Sequence, residues 1–174
     1  MFKQFPFGDS GSPALLADLT GGAKSTNWAG VTNVNSFLNL LLFIGVGTAG
    51  QDITITLNQA KTNAGGSSKV LQIKEVFFKA GSAGAIAAAK DFWTKSALVN
   101  REAPANSYAS ATDRGAATNQ FIALIRVSPA DLDVGADYAY VGASFNSPAA
   151  SQLVCGLWVP EHVAYHGSDW SPLS

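Results

Sequence analysis

The sequence predicts an all-β chain: an antiparallel β-sandwich of jelly-roll type preceded by an extended N-terminal arm. Three observations predict it. Short apolar runs punctuated by Gly, Asn, Ser and Pro recur from one end to the other. Long helical periodicity is scarce, so no parallel βαβ unit can be assembled. The 174 residues amount to one domain, long enough to enclose a core, and the single Cys155 leaves that core to hold by packing.

The elements follow in order. Residues 1–35 carry Phe2, Phe5, Phe7, Leu15, Leu16, Leu19 and Trp28 among glycines and polar residues. So many large apolar side chains suit an arm lying on the sandwich or on a neighbouring subunit better than a solvated tail. The sandwich is expected over 36–166, with a short tail over 167–174. Its first strand is the run from Phe37 to Val46, which is apolar at successive positions, as a strand covered on both sides would be. QDITITLNQ follows: Ile53, Ile55 and Leu57 alternate with Asp52, Thr54, Thr56 and Asn58, giving one dry face and one wet face. Thr62 to Ser68 is turn chemistry, and Lys69 to Lys79 starts another strand.

Ala80 to Lys90 is low in complexity and, with two interrupting glycines, reads as a loop. Asp91 to Val99 reads as a strand with Trp93 as its anchor. Arg101 to Asn119 is a long polar loop of the kind that is functional or covered by a partner. Gln120 to Val127 is strongly β-like. After it, Ser128 is placed to cap one helical turn with Pro129 at its first position and Gly135 at its end. Tyr138 to Phe145 and Gln152 to Val159 complete seven or eight strands.

Composition narrows function by exclusion. Hydrophobic residues make up 47% of the chain and charged residues only 13%, too few to cover a solitary unit, so partner chains are expected to cover some apolar surface. Net charge is −1, with no Lys/Arg cluster, which removes the electrostatic footprint of nucleic-acid binding. The longest apolar run, Phe37 to Gly47, is interrupted by Asn39 and is too short for the roughly twenty residues that span a bilayer. One early Lys without a following apolar stretch argues against a secretory signal.

Candidate chemistry is weak at each place it surfaces. Gly8 to Pro13, GDSGSP, looks like the nucleophile segment of a chymotrypsin-like serine protease, with Ser10 as nucleophile. Such a Ser needs a His base and an orienting Asp, and only MFKQFPF precedes it. The segment reads instead as part of the turn-prone arm. Glu161 to His166 puts His162 and His166 four apart, but Pro160 and Gly167 crowd any helix that would align them on a metal. Asp131, Asp133 and Asp137 resemble a calcium loop, but Gly135 is out of register and no distal Glu follows. Cys155 is expected to be a small buried thiol. Asp9, Asp18, Glu102 and Asp113 show no spacing that pairs them as glycosidase carboxylates. Trp158, Tyr138 and Tyr140 could stack on a sugar, and such rings otherwise belong to core or subunit contacts. The expectation is a chain with no catalytic residues, no metal and no cofactor.

Across Ser36 to Tyr165 the order of segments FLNLLLFIGVG, DITITLNQAKT, VLQIKEVFFK, FIALIRVSPADLDVGADYAYVGASF and QLVCGLWVPEHVAY resembles that of tailed-bacteriophage capsid decoration, or cement, proteins. The resemblance is one of pattern rather than of a diagnostic motif. It implies a jelly-roll unit, commonly a homotrimer, assembled in the host cytoplasm and bound to the outer virion surface, where it clamps neighbouring copies of the major capsid protein. Phe2, Phe5, Phe7 and Trp28 are the candidate partner-binding residues, through attachment or trimer contacts. Two other readings fit the same sandwich: a carbohydrate-binding or receptor-binding tail module, and a neck or tail structural component.

Overall fold

The computed structural model describes residues 13–18, 24–31, 36–45, 53–82, 93–116, 118–146 and 153–162. Among them are twelve strands, one four-residue helix and two 3-10 turns, arranged as two antiparallel sheets, so the all-β sandwich expectation holds. The strands are β1 (Pro13–Asp18), β2 (Lys24–Ser25), β3 (Ala29–Gly30), β4 (Ser36–Ile44), β5 (Thr54–Ala60) and β6 (Lys69–Leu71). They continue with β7 (Val76–Gly81), β8 (Thr94–Lys95), β9 (Tyr108–Ala109), β10 (Gln120–Val127), β11 (Tyr140–Asn146) and β12 (Leu153–His162). The first sheet runs β1-β12-β4-β10-β7-β8. The second runs β2-β11-β5-β6, with β3 also on β11 and β9 also on β5.

Two-residue alternation decides which side chains meet between the sheets. On β10, Phe121, Ala123, Ile125 and Val127 are buried while the residues between them are half-covered. Leu40 and Leu42 of β4, Ile55 and Leu57 of β5, Val141 and Phe145 of β11 and Val154 and Trp158 of β12 join the same cluster. Each side chain buried this way stabilises the fold by about 1.5–3 kcal/mol. At one end of the core, Phe121 stacks between Phe78, at 5.7 Å, and Tyr108, at 6.5 Å between ring centroids.

A polar contact crosses the sandwich between Trp158 and Thr26. Trp158 Nε1 donates to Thr26 Oγ1 at 3.1 Å, satisfying an indole N–H that is otherwise sealed in the core. Thr26 sits where β2 and β3 approach β11 with one residue more than the facing stretch, a bulge. There its N–H donates to Ala143 O at 2.8 Å and its hydroxyl accepts from Ala143 N at 2.9 Å, so the side chain replaces a ladder partner.

Several expectations are corrected. Lys69 to Lys79 is two strands in different sheets, because the chain crosses over at Gln72 to Glu75, where Ile73 pairs with Ala105. Of Asp91 to Val99 only Thr94–Lys95 pairs in a strand, and Trp93 is 41% exposed rather than an anchor. The polar loop from Arg101 to Asn119 contains β9 and the helix α1 (Ala111–Arg114), and it buries Tyr108, Ser110 and Arg114. Arg114 closes that end by donating to Gly45 O at 2.6 Å and Asn119 O at 2.8 Å. Ser128 does cap a turn, with Asp131 completing a capping box, but the turn is Pro129–Asp131 and stops where Leu132 turns inward. Gly135 lies within a second turn, Val134–Ala136, closed by Asp137 in the left-handed region at φ 66°. Finally, residues expected only as arm are hydrogen-bonded into the sandwich: β1 edges the first sheet and β2 and β3 edge the second.

Candidate interaction surface

Three central strands of the first sheet carry apolar residues on both faces, interrupted on the outward one by Asn39 of β4 and by Gln120 and Arg126 of β10. Outward from the core, β4 presents Phe37, Leu41 and Phe43, β10 presents Ile122 and Leu124, and β12 presents Cys155, Leu157 and Val159. Pairing places these residues in rows, since directly opposed residues in an antiparallel sheet share a face. One row of partners crosses all six strands: Lys95, Phe77, Leu124, Leu41, Leu157 and Pro13. The next runs Lys79, Ile122, Phe43, Cys155 and Leu16. Phe43, one residue from the end of β4, is 43% exposed.

Cations stand on this surface and at its edge, and lie over rings. Arg126 sits 3.8 Å above Phe37, Lys79 lies 5.5 Å from the Trp93 ring, and Lys95 lies 5.9 Å from the Phe77 ring. Beside them Glu75 accepts from Lys95 at 3.2 Å and pairs with Arg101 at 3.3 Å. Burial alone would raise the Glu75 carboxyl, but hydrogen bonds from Arg101 and Lys95 outweigh it and hold the group below its ordinary range.

The second sheet presents a different exterior. Thr54, Thr56 and Asn58 of β5 face outward beside Asn146, Ser144 and Gly142 of β11. On this exterior Trp28 is half-buried, packed over Gly142 and against Gly65, whose φ of 81° favours glycine. At the margin, Lys69 pairs with Asp133 at 2.6 Å and lies 4.4 Å from the Tyr138 ring. That contact raises Lys69 and lowers Asp133 from their ordinary pKa ranges.

The residues singled out from sequence scatter over this architecture. Trp28 lies on the exterior of the second sheet and not with the apolar rows. Phe2, Phe5, Phe7, Ser10 and His166 fall outside the described residues. Glu161 and His162 continue β12 as strand, so the histidine pair does not begin on a helix. Asp131 and Asp133 are engaged by Lys74 at 2.7 Å and by Lys69, respectively. Trp158 is core. Cys155, expected to be buried, is half-covered on the outward face of β12. Among the described residues no helix is long and apolar enough to cross a membrane.

Sequence reasoning did not single out Leu41, Phe43, Leu124 and Leu157. Their signal was present: FLNLLLFI, QFIALIRV and QLVCGLWV each place apolar residues at odd and even positions alike. No family model, curated protein or solved structure matches the chain.

Proposed function

We propose that this chain is a structural protein that works by covering and being covered: a capsid decoration, or cement, protein on the outer face of a tailed-bacteriophage head, where it links neighbouring major capsid subunits as a self-associating unit. The observation that carries the reading is the run of apolar outward residues on the central strands of the first sheet, Leu41, Phe43, Ile122, Leu124 and Leu157. A face whose central strands present Leu41, Leu124 and Leu157, with Phe43 exposed at one end, is the chemistry of a protein–protein contact rather than of a solvated wall. The low charged fraction of the chain and its resemblance in segment order to decoration proteins support the same reading. So does the strand order. With β1-β12-β4-β10 in one sheet against β2-β11-β5-β6 in the other, we read the sandwich as a jelly roll extended by β7 and β8.

The test is the mass of the purified chain by light scattering after size exclusion, followed by cosedimentation with empty heads. A trimer that sediments with the shells is expected. A monomer that stays in the supernatant would overturn the proposal. A second reading, a glycan-binding module, is favoured by Trp28 on a polar exterior beside Asn58 and Ser144, because an indole flanked by amide and hydroxyl groups suits a sugar face. Binding on a glycan array that is lost in Trp28→Ala would move the lead to it.

A further inference from the structure

At the β8 end of the first sheet, backbone groups and charged side chains face solvent together. We infer that β8 receives an extended acidic segment of another protein by strand addition, with the segment's backbone on Lys95 and a carboxylate held between Lys95 and Arg101. The site lies beyond the apolar rows and does not depend on what covers them.

The backbone comes first. Lys95 pairs with Phe77 and Thr94 with Phe78, and Ser96 continues that register by donating its N–H to Val76 O at 2.8 Å. Bonding positions alternate along an antiparallel ladder. Thr94 and Ser96 therefore turn their N–H and C=O toward β7, while Lys95 turns both away from it. Among the described residues β8 has a strand on that one side only. A strand laid along the other side would bond both groups of Lys95, as sheet edges do when they bind extended peptides.

Charge marks the same place. Lys95 Nζ lies 3.2 Å from Glu75 Oε1, Arg101 Nε lies 3.3 Å from the same oxygen, and Arg101 Nη2 donates to Oε2 at 3.5 Å. The Glu75 side chain is 13% exposed, whereas those of Lys95 and Arg101 are 48% and 52% exposed. Two cations thus cover one carboxylate, and each has N–H donors to spare. A second carboxylate can bridge the pair from the solvent side.

Geometry joins the two features. Residues opposed across a ladder share a face, so the residue that an added strand places against Lys95 points outward, beside the ammonium. Trp93, two residues back on the same face, is 41% exposed, with Lys79 Nζ 5.5 Å from its ring. The pairings of this sheet are antiparallel, and in that sense the residue facing Trp93 stands two positions after the one facing Lys95. The site therefore fits a segment that reads carboxylate, any residue, apolar residue.

That pattern selects the occupant. A phosphate chain or a sulfated glycan brings charge but no N–H and C=O in strand register, and its denser charge would meet Glu75 beneath the pair. A second copy of this edge would set ammonium against ammonium, which is how a short, lysine-bearing edge avoids its own kind.

The test is fluorescence anisotropy with the full-length chain and a labelled, end-capped heptapeptide of threonines carrying glutamate at its third position and valine at its fifth. The same peptide with glutamine in place of glutamate is expected to bind about 5- to 10-fold more weakly, as loss of one carboxylate between two half-exposed cations does. Lys95→Gln/Arg101→Gln should erase that preference. Lys61→Gln/Lys69→Gln, an equal loss of charge beside Tyr138, should keep it. N-methylation of the glutamate removes the N–H that would bond Lys95 O, and should weaken binding at least about 5-fold. The two peptide changes leave the protein untouched, so they decide the matter even where a variant folds poorly. A glutamate peptide that fails to bind below about 1 mM would overturn the inference. So would a glutamine peptide that binds as well, an N-methylated peptide that binds unchanged, or a preference lost equally in Lys61→Gln/Lys69→Gln. Oligothymidylate that binds more tightly than the peptide, and is lost in Lys95→Gln/Arg101→Gln, would overturn it in favour of nucleic acid.

Discussion

The two exteriors of this sandwich are built on the same backbone geometry and could hardly differ more in chemistry. β4 and β5 each lie within a sheet, flanked by partner strands, and each sends alternate residues into one shared core. Outward, β5 shows Thr54, Thr56 and Asn58, while β4 shows Phe37, Leu41 and Phe43 around a single amide, Asn39. The polar exterior pairs comfortably with water, and its one indole is folded down onto Gly142. The apolar exterior has no such arrangement at Phe43. Core packing therefore explains half of β4 and leaves the other half to the proposed role in binding.

The comparison would break most visibly at a residue both sheets share. Trp158→Ala removes a fully buried ring and the donor to Thr26, and is expected to cost about 3–5 kcal/mol in urea unfolding. A cost below about 1 kcal/mol would mean that the two sheets are not held by a common core.

On the polar side, Gly65→Ala combines a left-handed backbone with a methyl directed into the Trp28 indole, and a loss of roughly 2 kcal/mol is expected. Gly142→Ala meets the same ring at 3.0 Å but from an extended strand, and should cost about half as much or less. Equal losses would show that strain at Gly65 contributes nothing.

On the apolar side, Phe43→Thr should leave the unfolding free energy of the dilute monomer within about 0.5–1 kcal/mol, as expected for a half-exposed side chain. It should instead remove the dependence of melting temperature on protein concentration that an associating wild type displays. A melting curve that falls by tens of degrees would assign Phe43 to the core rather than to an interface.

The smallest effects are those of pH. Burial and the hydrogen bond to Asp113 both raise the Tyr108 phenol above its ordinary value of about 10. Its contribution is complete below pH ~10 and declines above it, as the unfolded chain begins to ionise while the folded chain does not. Tyr108→Phe should flatten that alkaline decline. Glu75 runs the other way: its lowered carboxyl contributes at neutral pH and loses that contribution as pH falls below ~4. Glu75→Gln should remove a shallow acid slope, kept small because Lys95 and Arg101 are about half exposed.

Much of the fold was legible because alternation is a strong signal where one face is wet. Thr54 to Ala60 and Gln120 to Val127 lie where the sequence puts strands. The elements that were misread are those where tertiary contacts override local pattern. Lys69 to Lys79 looks continuous, yet its two ends serve different sheets, and nothing local announces the crossover at Ile73. Tyr108 and Arg114 sit among small polar residues and are buried by partners distant in sequence, Phe121 and Gly45. The candidate surface was legible in part. Apolar residues at odd and even positions pointed to strands covered on both sides, but which neighbours form the rows depends on strand order, which periodicity does not encode.

Sheet 1 joins the two ends of the chain: β1 hydrogen-bonds to β12, and β4 is flanked by β10 and β12. A ribosome delivers these partners in the wrong order for early closure. β4 emerges with leucines and phenylalanines on both sides and must wait for strands that begin at Gln120 and Leu153. Such long-range pairing folds slowly, in the millisecond-to-second range, and leaves sticky nascent strand exposed meanwhile. The chain is thus expected to depend on chaperones until its last strand is made, and a ribosome stalled before Leu153 should hold a polypeptide that captures them.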